Sequence, residues 1–71
     1  MKAQDWLDAY AAEIGGEAPD EETVGELLEL AATAAHSSER IAAPIACYMA
    51  GRDGRTAAEL RAAADRVAGA G

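Results

Sequence analysis

Alanine limits what this chain can become. Twenty of its seventy-one residues are alanine and none is phenylalanine. Alanine is the strongest helix former, but it buries little surface. The large apolar set comprises about fourteen side chains, from Trp6 near the start to Val67 near the end. At roughly 1.5–3 kcal/mol for each one fully buried, these support one thin core and no second layer. β-branched residues are few, which argues against a sheet. The expectation is an all-α fold: one small four-helix domain spanning residues 1–71.

The hydrophobic period places four helices, at about residues 4–14, 20–36, 43–51 and 56–68. In the first, Trp6, Leu7, Tyr10 and Ile14 share a face, and Gly15-Gly16 ends it. Asp20 is a good N-cap for the second, with Glu21 and Glu22 in its first turn. Its stripe is Val24, Leu27, Leu28, Ala31, Ala34 and Ala35. Gly25 interrupts this helix and leaves room for a close neighbour such as Trp6. Glu22, Glu26 and Glu29 line one face with no base at i+4, so arginines of the fourth helix or a partner should answer them. Ser37 and Ser38 break the pattern. The segment Ser37 to Ala42 then reads as a turn, with Ile41 plugging the end of the core. Pro44 suits the first turn of a third helix that ends at Gly51 and faces Ile45, Tyr48 and Met49 inward. Arg52 to Arg55 reads as a turn. Thr56 and Glu59 fit a capping box for the fourth helix, whose stripe is Leu60, Ala63, Ala64 and Val67, with Arg61 and Asp65 as an i,i+4 pair.

Charge is unevenly divided. The net charge is −7, and residues 1–29 hold nine acids against the single base Lys2, whereas residues 30–71 hold four acids and five arginines. Phosphate backbones and anionic lipid repel such a chain, so neither nucleic acid nor a membrane is expected as a partner. A basic protein surface, or self-association of acids with arginines, fits better. No apolar run approaches the ~20 residues of a membrane span. The acid-rich start lacks the apolar stretch of a secretory signal. One cysteine can form no internal disulfide. These features predict a cytoplasmic protein.

No catalytic set is visible, so the chain is not expected to be an enzyme, and no cofactor or metal is implied. His36 and Cys47, the only residues of their kinds, stand eleven positions apart and match no zinc spacing. Cys47, early in the third helix, is either a thiolate stabilised there or a small core residue. His36, Glu39 and Arg40 are the candidate ligand-binding residues. Arg40, with free N–H groups at the start of the third helix, suits an anion such as phosphate. The alternative is structural, with His36 closing a helix end and Arg40 paired to Glu39 or Glu29. An acyl carrier would need Asp-Ser-Leu at a helix start, where this chain has His36-Ser37-Ser38 at a helix end. A helix-turn-helix DNA reader is disfavoured by the sign of the charge.

Ala35-His36-Ser37-Ser38-Glu39-Arg40, followed by Ala43-Pro44-Ile45 and Tyr48-Met49-Ala50-Gly51, resembles a small helical domain of unknown function from high-GC bacteria. Trp6-Leu7, Leu27-Leu28 and Leu30-Ala31 also fit the resemblance, which covers the chain up to Gly51. That family is sometimes associated with molybdopterin-guanine dinucleotide biosynthesis, beside or fused to the guanylyltransferase of the pathway. The resemblance implies association with the pathway and not its chemistry, since the chain has neither the glycine-rich loop nor the α/β sheet of the transferase. The expectation is an accessory or protein-interaction domain, with a molybdenum-cofactor assembly protein as possible partner. The alternatives are a binder of a phosphate, nucleotide or pterin through residues 36–47, and a purely structural homodimer with Trp6 or Tyr48 at its seam.

Overall fold

The computed structural model describes residues 1–70, which form four α-helices: α1 (Ala3–Glu13), α2 (Glu21–Ser37), α3 (Ala42–Asp53) and α4 (Ala57–Ala70). The domain is all-α. Helix α4 runs through Gly69 to Ala70, beyond its expected end near Ala68; Gly71 lies outside the described residues.

Local chemistry sets the boundaries. Gly15 takes φ +76°. The Gly16 N–H donates to the Ala11 carbonyl at 2.8 Å and the Gly15 N–H to that of Ala12 at 3.3 Å, the paired bonds of a Schellman motif. The Asp20 carboxylate accepts from the Thr23 N–H at 2.8 Å. Thr56 and Glu59 close their capping box reciprocally: the Glu59 N–H donates to Thr56 Oγ1 at 3.2 Å, and Glu59 Oε1 accepts from the Thr56 N–H at 3.2 Å.

Three further boundaries differ from expectation. Helix α2 runs through Ser37, because the Ser37 and Ser38 hydroxyls each donate at 2.6 Å to the Thr33 and Ala34 carbonyls. Helix α3 starts at Ala42, with Pro44 inside its first turn, where a missing N–H does no harm. It continues past Gly51 to Asp53, since the left-handed cap residue is Gly54, at φ +93°.

Helix α2 is the spine: α3 and α4 each pack on it, and neither packs extensively on the other. On α3 the less exposed positions are Ala42, Ala43, Ala46, Cys47 and Ala50, at one-turn spacing. Small side chains bring α3 close to α2, and the Cys47 thiol lies 3.9 Å from the Leu27 carbonyl. Ile45, Tyr48 and Met49, expected inward, are therefore turned out, at 61–65% exposure, and Ile41 plugs nothing. Leu28 and Val67 are also turned to solvent. Among the described residues Leu30 is the most deeply buried side chain, accompanied only by Ala11 and Ala50. Between α2 and α4, the Thr33 hydroxyl donates to Asp65 at 3.3 Å. Arg61 Nε stands 3.2 Å from Glu26 Oε2, within ion-pair range though not aligned as a hydrogen bond. Arg61 also pairs with Asp65 at 3.7 Å. One arginine of α4, Arg61, thus answers one acid of the α2 stripe, Glu26.

Helix α1 stands apart from the other three. Trp6 and Tyr10 stack on each other, ring centroids 5.2 Å apart, but no helix covers them. Nothing lies within 4 Å of where a Gly25 Cβ would sit, so the expected seat for Trp6 there is empty. The radius of gyration is 12.7 Å; a compact chain of this length would give about 11 Å.

Candidate functional site

The structure places His36 in the last turn of α2 and Glu39 and Arg40 in the joint before α3. All three are exposed, and none takes part in an ion pair or a side-chain hydrogen bond among the described residues. His36 occupies the last turn of α2 as its structural role requires, but serine hydroxyls rather than its ring bond the carbonyls there, and Arg40 has no acidic partner among the described residues. The backbone donors expected beside Arg40 are engaged. The Ala42 and Ala43 N–H groups donate to the Glu39 and Arg40 carbonyls at 2.9 and 3.2 Å, and Pro44 has none. An anion at the start of α3 would therefore find no free N–H on Ala42, Ala43 or Pro44. Cys47 is half-buried, and desolvation pushes its thiol above the ordinary value, which favours the inert core role over a reactive thiolate.

A larger feature lies where α3 and α4 diverge over α2. A groove of about 650 Å³ runs between them, with Leu30, Thr33 and Ala34 on its floor. Ala46, Met49 and Ala50 form one wall, and Leu60, Ala63, Ala64 and Val67 form the other. One end is closed by Asp53 and Arg55, which make two short contacts: Arg55 Nε to Asp53 Oδ1 at 2.6 Å and Nη2 to Oδ2 at 2.9 Å. The Arg55 guanidinium holds the Asp53 carboxyl below its ordinary range, and Asp53 in turn raises Arg55. The groove has the size of a small-molecule pocket, yet its walls are nearly all aliphatic. Its polar lining residues, Thr33, Ser37, Ser38, Asp53 and Arg55, all bond within the chain, and its aliphatic walls suit an apolar helix face.

Sequence reasoning did not reach the groove. Its signal was present in Ala43, Ala46 and Ala50, a small-residue stripe that lets α3 approach α2 and leaves the larger side chains without a seat.

The profile of the family described as Domain of unknown function (DUF6457) matches residues 1–70. The chain belongs to this family. The match spans all four helices, so α1 is an integral part of the family's pattern despite standing apart in the fold. No curated protein and no solved structure matches the chain. Among the described residues no cluster of His, Cys, Asp and Glu is arranged to hold a metal ion, and no helix is long and apolar enough to cross a membrane.

Proposed function

We propose that this chain is a non-catalytic accessory domain that works by docking on protein, in the assembly of the molybdenum cofactor. One observation carries the docking part. Among the described residues only Ala11, Leu30 and Ala50 are buried, while ten large apolar side chains, Trp6, Tyr10, Ile45, Tyr48 and Met49 among them, are at least half exposed. Isolated exposed apolar groups are ordinary, but contiguous ones mark interaction surfaces. The pathway rests on the resemblance of the His36–Gly51 region to the domain found beside the guanylyltransferase. The test is binding of the tagged full chain to the purified molybdopterin guanylyltransferase. Saturable binding that is weakened by Tyr48→Ala is expected. No binding at any concentration would contradict the pathway assignment.

A second reading has its own observation, the exposure and lack of partners of His36, Glu39 and Arg40. On this reading the joint holds a phosphate, nucleotide or pterin. Titrating labelled protein with guanine nucleotide should then shift resonances of residues 36–47, and Arg40→Ala should abolish the shifts. Unmoved resonances would remove this reading.

A further inference from the structure

We infer that the groove between α3 and α4 receives α1 of a second copy of this chain, so that two copies exchange their first helices. The inference deepens the docking function proposed above and names the partner for one of its surfaces. The groove is the space that a fourth helix of a bundle would occupy: α2 forms its floor, and α3 and α4 flank it without packing extensively on each other. The chain contains one helix with an uncovered apolar stripe and no partner. Trp6, Tyr10 and Ile14 of the α1 region, four residues apart, are 55%, 50% and 63% exposed. An eleven-residue helix is about 16 Å long, and fits along the fourteen residues of α4, roughly 21 Å.

One observation favours a second copy over closure within one chain. The segment joining α1 to α2 is fixed at both ends, by the Gly15-Gly16 Schellman bonds and by the Asp20 cap. Between them Gly16 to Pro19 turns back along α1 and shares a small hollow with Ala11 and Ala12. Reciprocity doubles the contact. With Trp6 and Tyr10 half exposed, two exchanged helices and their grooves bury on the order of 1,000 Å², near the lower limit of a specific interface.

Sedimentation of the full chain over a wide concentration range tests the inference. A monomer–dimer equilibrium is expected. Trp6→Ala, at an exposed position, should leave the circular dichroism unchanged and raise the dissociation constant by more than about tenfold. Val67→Arg, in the groove wall, should do the same. Mixing the two variants should restore part of the association, since one of the two exchanged contacts, α1 of the groove variant in the groove of the helix variant, is then intact. A monomer at every concentration would overturn the inference, as would a dimer indifferent to both substitutions. A monomer in which Trp6 is shielded would overturn it by placing α1 in its own groove. Guanylyltransferase binding is measured separately, so a monomer that still binds that enzyme defeats the exchange and leaves the docking function standing.

Discussion

Individual residues do much of the shaping. Gly25 lies inside α2 with an ordinary helical φ and open space around its Cβ position. Gly25→Ala should therefore raise unfolding free energy by about 0.5–1 kcal/mol, through helix propensity and a less mobile unfolded chain. Urea titration would read this directly, and a loss of stability would show that something else seats at Gly25. Thr56 and Glu59 fix the start of α4, so Thr56→Ala should cost about 1 kcal/mol. The same capping contacts make stability depend on acid. Hydrogen bonding from Thr23, hydroxyl and backbone N–H, lowers Asp20, the Arg55 guanidinium lowers Asp53, and the Thr56 hydroxyl lowers Glu59. A carboxylate whose folded value is depressed contributes stability in full above its unfolded value and loses it as pH falls through the folded one. This contribution should be constant above about pH 5 and decline from about pH 4 downward. Thr56→Ala should flatten the decline, as followed by thermal unfolding across that range.

Helices pack through small residues here, and that explains what the sequence did and did not disclose. Capping residues act locally, so Asp20, Thr56-Glu59 and Gly15-Gly16 could be assigned from the chain alone, and with them the four helices. Periodicity shows which residues share a face but not whether the face is covered. Ile45, Tyr48 and Met49 do lie together on α3, but the alanines on the opposite side are the ones that meet α2. The candidate residues His36, Glu39 and Arg40 were readable as a polar joint, whereas the engagement of the neighbouring N–H groups depends on backbone geometry that residue types do not reveal. Close packing makes a definite prediction. Leu30→Ala removes the one large buried side chain and should cost about 2–5 kcal/mol, enough to unfold much of a domain this small. Ala50→Leu should cost about 1–3 kcal/mol by forcing α3 away from α2. Helix α1 should behave oppositely. A chain beginning at residue 19 should keep the helical signal of α2, α3 and α4, since α1 contributes little to their packing.

The whole molecule, 38 × 24 × 18 Å, is a three-helix unit with a fourth helix held out beside it. Its large apolar side chains are distributed over α1, the outer face of α3 and the open groove, and few of them serve its own core. On the docking reading proposed above, such a chain is completed by association. The central claim is that the α1 stripe is a docking surface, open in the free chain and covered in the complex. Trp6 is the only tryptophan, so its emission reports on that stripe alone. The most direct measurement is the Trp6 emission maximum of the full-length protein as concentration rises. The account predicts a water-exposed maximum in dilute solution that shifts to shorter wavelength with concentration, and no such shift in Val67→Arg. A maximum that stays water-exposed at every concentration, or one already shielded at the lowest, would contradict it.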